Sequence, residues 1–178
     1  MASRLHRPVQ QAGRAGPVTT APHRSTLEAR ALFNPAFGAY LLASSIHAAA
    51  KKAHTPMPWP SVFLVLPLVL PADTRSSLPA RSTMSLSAWA NANPRQQAAF
   101  AERAAALTDY TRASLRTAMR HRAIEVTVGN LNCSRAPKPP SAAPGAEVAE
   151  CARAAALVGR WLAATDPARA FTVLGVRP

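Results

Sequence analysis

The side chains able to do covalent or acid–base chemistry are few and far apart. Eight acids occur in 178 residues, and Glu147 with Glu150 is the one pair within four residues. Both fall at an expected helix start, where carboxylates offset the positive end of the helix dipole. His47 and His54 flank an expected helix end, and no two histidines have the i, i+4 spacing that aims two imidazoles at one metal. His47 itself reads as a packing residue. Cys133 and Cys151 stand 18 residues apart across a proline-rich stretch. With no second cysteine pair and no histidine at finger-like spacing, they read as two reduced thiols. A glycine-rich phosphate loop ending in Lys and Ser or Thr is missing, as is a nucleophile elbow. An enzyme built on this chain would have to gather His47, His121 or Cys151 in one pocket with a shifted pKa. The expectation is a non-enzymatic protein with no metal and no cofactor.

What does recur is positive charge. The formal net charge is +13, carried by arginine far more than lysine in a chain rich in Ala and Pro. GC-rich coding imposes that composition on any protein, so the charge is discounted as a nucleic-acid signature. It still attracts phosphate backbones and anionic surfaces. Arg112, Arg116 and Arg120 repeat at four-residue steps in a helix expected over 109–122. At 100° per residue they share one arc, and Leu107, Thr111, Leu115, Ala118 and Met119 share the neighbouring one. Ile124 to Val128 then alternates like a strand, Gly129-Asn130 offers a turn, and Leu131 to Cys133 returns. Two helices followed by a hairpin are the local grammar of a winged helix, in which the second helix reads a partner and the hairpin is the wing. The three arginines are thus candidate nucleic-acid-binding residues. A solvated helix face on an ordinary helical domain is the competing reading.

The elements that must position these residues are mainly helical. Residues 1–25 hold five Pro or Gly among small and basic residues with no hydrophobic period, and read as a disordered basic tail. Ser25 or Thr26 can cap a turn containing Glu28. Asn34-Pro35 marks a sharp helix start, with Phe37, Tyr40, Leu41, Ser44 and His47 as its expected buried stripe. Pro56 to Pro60 must be extended, with Trp59 packing over the core. Ser61 to Leu70 reads as a buried helix kinked at Pro67. Asp73 can cap a turn, Ser82 to Ala90 reads as a short helix, and Asn93-Pro94 repeats the capping device and opens a helix to Leu107. Thr108 or Asp109 should cap the arginine-bearing helix. A disordered loop over 134–146 precedes a helix over 147–164, with Val148, Cys151, Ala155, Leu157, Val158 and Trp161 buried. Asp166-Pro167 caps a last helix that Gly175 ends. The expected fold is mainly α with a small β-hairpin: a compact helical domain over 26–178, winged-helix-like in part and modestly stable alone. The longest apolar run, Val62 to Leu70, is about half of the ~20 residues a membrane span needs, so a cytoplasmic protein without a membrane partner is expected.

Two stretches carry a more particular likeness. One is Leu27 to Leu42 (LEARALFNPAFGAYLL) with Met57 to Pro79 (MPWPSVFLVLPLVLPADTRSSLP). The other is Leu157 to Ala163 (LVGRWLA) with Phe171 to Pro178 (FTVLGVRP). Together they resemble the middle component of prokaryotic three-component ABC systems. Pro71 stands where the resemblance leads one to expect a polar residue, and no acid follows Thr74-Arg75. The resemblance implies a non-enzymatic adaptor between an SMC/Rad50-like ABC ATPase and an effector, in defence against phages or other mobile DNA. The joint would then lie on the Val62–Leu70 region or the C-terminal helices, with DNA touched directly or through the ATPase. A free-standing winged-helix DNA-binding regulator is the alternative.

Overall fold

The computed structural model describes residues 34–54, 56–139 and 145–177. The expectations for the basic tail, for the turn at Ser25 to Glu28 and for part of the 134–146 loop fall outside these residues. In chain order the elements are α1 (Pro35–Ala53), β1 (Met57–Pro58), a 3-10 helix (Trp59–Leu64), α2 (Val65–Val69) and α3 (Ala72–Ser77). There follow α4 (Leu86–Ala92), α5 (Pro94–Ala98), α6 (Phe100–Ala106), α7 (Thr108–Arg120), β2 (Glu125–Thr127), β3 (Asn130–Asn132), α8 (Ala146–Ala163) and α9 (Pro167–Val173). The protein is mainly helical, with a small antiparallel sheet of order β1-β3-β2.

Helix α1 starts as its sequence dictates. The Asn34 side chain accepts from the Ala36 N–H at 2.9 Å, and Pro35 needs no partner for its missing donor. The helix is clasped between α7 and α8, which buries an arc that includes Leu41, Leu42, Ser45, Ile46 and Ala49. Tyr40, Ser44 and His47, expected inside, are only half-buried. Two flanking helices bury an arc rotated away from the expected stripe. Close approach makes the clasp possible. A Cβ on Gly159 of α8 would overlap the Ser45 carbonyl, and one on Gly38 would overlap the Ser114 side chain of α7.

The apolar run is buried, but its form differs from the expected kinked helix. Trp59–Leu64 winds as a 3-10 helix and Val65–Val69 as an α-helix, so the change of winding precedes Pro67. That proline sits in the first α-helical turn, where no amide is demanded. Val62, Leu64, Val65, Leu66, Leu68 and Val69 are each fully buried, and at roughly 1.5–3 kcal/mol per side chain they anchor the core. These six side chains are therefore unavailable as a joint, whereas Phe63 and Leu70 within the same run are only partly buried. Met57, not Trp59, turns inward from the Pro56–Pro60 stretch: Met57 is buried and Trp59 is 38% exposed.

Capping departs from expectation at four places. Pro71 holds the N-cap of α3, which leaves Asp73 within the first turn. Ser85 caps α4 by accepting from the Ala88 N–H at 3.1 Å, so that helix begins later than expected. Asn93 does not cap, because its Nδ2 donates back to the Trp89 carbonyl at 2.8 Å. The segment after it breaks at Ala99 into α5 and α6. Neither Thr108 nor Asp109 caps α7; Thr108 is itself helical and its hydroxyl donates to the Ala104 carbonyl at 2.9 Å. At the C-terminal end the expectations hold. Asp166 caps α9 by accepting from the Arg169 N–H at 3.1 Å, and Gly175 ends that helix at φ +68°.

Helix propensity alone favours alanine over glycine by ~1 kcal/mol. At Gly159 the overlap with a backbone carbonyl, which cannot move without parting two helices, outweighs it. Gly159→Ala is expected to lower stability by about 1–3 kcal/mol, read as a fall in the urea midpoint; a midpoint equal to or above the parent's contradicts the packing.

Candidate interaction surface

Thr111, Ser114, Leu115 and Ala118 bury one face of α7 against α1 and leave Arg112, Arg116 and Arg120 exposed on the opposite side. Arg112 Nη1 lies 3.1 Å from Asp109 Oδ1, but both side chains are more than half exposed, so the pair adds little stability. The helix is stopped by an arginine in the left-handed region. Arg122 has φ +54°, the Ala123 N–H donates to the Ala118 carbonyl at 2.9 Å, and the Arg122 N–H donates to the Met119 carbonyl at 3.0 Å. This paired closure satisfies the last carbonyls and turns the chain into the hairpin.

The hairpin register is Glu125↔Asn132, Val126↔Leu131 and Thr127↔Asn130. The turn is therefore Val128-Gly129, one residue earlier than the expected Gly129-Asn130, with Gly129 at φ +70°. Strand β1 adds on the far side of β3, pairing Met57↔Leu131; two residues, one of them a proline, give too little pattern for a strand to be expected there. Ile124 and Leu131 are buried at the base, whereas Val126 is 56% and Val128 99% exposed. The Trp59 N–H donates to the Gly129 carbonyl at 3.0 Å, fastening the hairpin turn to the 3-10 helix. Trp59 in turn meets Phe63 edge-on, ring centroids 6.0 Å apart. A groove of about 550 Å³ continues from Phe63 along Ala104 and Thr108 to Arg112, with Phe171 and Arg177 on its other side.

The residues that an enzyme would need do not share a cavity among those described. His47 lines a groove between α1 and α8, and its Nδ1 lies 3.0 Å from the Cys133 carbonyl; a carbonyl only accepts, so Nδ1 carries the proton. His121 caps the C-terminus of α7 and lines a separate depression. Cys151 is fully buried in α8. Among the described residues no group of three or more His, Cys, Asp or Glu could hold a metal ion. Burial pushes both thiols up, offset in part by the Arg135 backbone beside Cys133 and by the Arg75 charge near Cys151.

Arg75, which the sequence marks only as part of the family likeness, is a structural clamp. Nη1 donates to the Val69 and Leu70 carbonyls at 3.0 and 2.8 Å, and Nη2 to Glu147 Oε1 at 2.9 Å. Its side chain is 10% exposed, and it ties the end of α2 to the start of α8. Arg103 reaches the Thr74 hydroxyl from α6.

The profile of the ABC-three component (ABC-3C) system Middle Component 3 family matches residues 23–178. The chain belongs to this family, the middle components of three-component ABC systems. No curated protein and no solved structure matches it. No described helix is long and apolar enough to cross a membrane.

A raised thiol pKa leaves less thiolate at any given pH, and burial blocks access as well. Labelling of Cys133 and Cys151 at pH 8 is therefore expected to run at least about tenfold slower in native than in denatured protein. Equal rates would mean that the two sulfurs are not enclosed.

Proposed function

We propose that this chain is a non-enzymatic cytoplasmic adaptor that couples an SMC/Rad50-like ABC ATPase to an effector in a defence system against phages or other mobile DNA. The observation that carries the reading is membership of the middle-component family over residues 23–178, since a middle component works with the other components of its system. The separation of His47, His121 and Cys151 supports a role without catalysis. Tagged chain co-expressed with the ATPase and the third component is expected to bring down the ATPase in stoichiometric amount. A soluble chain that recovers neither component refutes the adaptor role.

A second reading, a DNA-binding regulator of winged-helix type, is favoured by one arrangement. Arg112, Arg116 and Arg120 stand exposed on the helix that immediately precedes the hairpin. Replacing all three by alanine is then expected to weaken duplex binding and to reduce the salt slope by up to ~3 contacts. Unchanged affinity and slope in a salt titration rule this reading out.

A further inference from the structure

The hairpin presents an apolar face that outruns its own core. Ile124 leads into β2, Val126 is its middle residue and Val128 opens the turn that follows. Their exposure climbs from 2% to 56% to 99% toward the hairpin tip. Exposed single valines are ordinary, but this one sits beside other apolar surface. The Trp59 backbone N–H joins the turn to the 3-10 helix, Trp59 is 38% exposed, and Phe63 lines a groove shared with Arg112 and Arg177. None of the residues lining that groove is acidic. Of the large apolar side chains exposed among the described residues, only Met84 stands outside this surface.

We infer that the hairpin tip, Trp59 and the adjoining groove form a docking surface for an acidic, apolar-faced segment of another protein of the system. Charge selects that occupant: apolar surface continuing into a groove lined by Arg112 and Arg177 matches apolar side chains flanked by carboxylates, for which Arg112 has only its exposed pairing with Asp109 to exchange. The hairpin itself argues against a nucleic acid. From Ile124 to Asn132 it carries no Lys or Arg and one acid, Glu125, so it has nothing to neutralise a phosphate with. Exposed aromatic and arginine side chains at one place are also the composition of interface centres. The inference rests on the adaptor reading and adds to it the place of contact.

The test uses the full chain with purified ATPase and third component, measuring affinity for each. Val128→Asp and Arg112→Glu alter exposed side chains and are expected to leave the thermal midpoint unchanged. Together they are expected to weaken the complex with one component by at least about tenfold. Met84→Asp, a charge placed on exposed apolar surface elsewhere, is expected to bind like the parent. A double variant that binds the components as tightly as the parent overturns the inference while leaving the adaptor reading intact. A double variant that keeps protein binding and loses duplex DNA overturns it in favour of a nucleic-acid surface. Failure of the parent to bind either component overturns both.

Discussion

The close crossing of α1 and α8 at Ser45 and Gly159 sets the position of nearly everything else. Because a glycine faces a backbone carbonyl there, the helices approach closely enough for Leu41, Leu42, Ile46 and Ala49 to share a core with Ala155, Val158 and Leu162. The opposite side of α1 repeats the device at Gly38 and Ser114, which holds α7. With α1 occupied on both sides, α7 can turn only one face outward, and that face carries Arg112, Arg116 and Arg120. A small-residue seam thus fixes where the charge points.

Polar groups then tie the irregular segments to this helical frame. Arg75 closes the carbonyls at the end of α2 and meets Glu147 at the start of α8. Trp89 and Trp161 lie with ring centroids 5.9 Å apart, and their indole N–H groups donate to the Ser77 and Met84 carbonyls. Those two bonds hold both ends of the stretch between α3 and α4, which has little apolar content of its own. Both indoles are buried, and a buried N–H left without a partner costs about 1–3 kcal/mol, so each bond fixes its ring as well as the loop. The outcome is a packed helical body whose large exposed apolar side chains, among the described residues, gather mainly at the hairpin end.

Much of this was legible in the sequence where a local rule acts alone. Asn34-Pro35, Asp166-Pro167 and Gly175 each behave as their types require, and the inward face of α8 follows its period. The arginine arc of α7 could be read to the residue. Expectations failed where a competing contact, local or tertiary, outbid the expected one. Asn93 has the same neighbour as Asn34, yet its amide serves the Trp89 carbonyl. Trp59 looks like a core residue by size, but Met57 reaches the β3 side first and leaves the indole half outside. The alternation of Ile124, Val126 and Val128 signals a strand, which forms over Glu125–Thr127. It cannot signal that the domain ends beneath the first of them.

Hydrogen exchange of the full chain, free and bound to the ATPase and third component, tests most directly whether a preformed helical body meets its partners through the hairpin end. The account predicts slowed exchange across residues 59–64 and 125–130, with the α1 amides equally protected in both states. Protection confined to the α3–α4 stretch, or α1 amides that become protected only on binding, would contradict it.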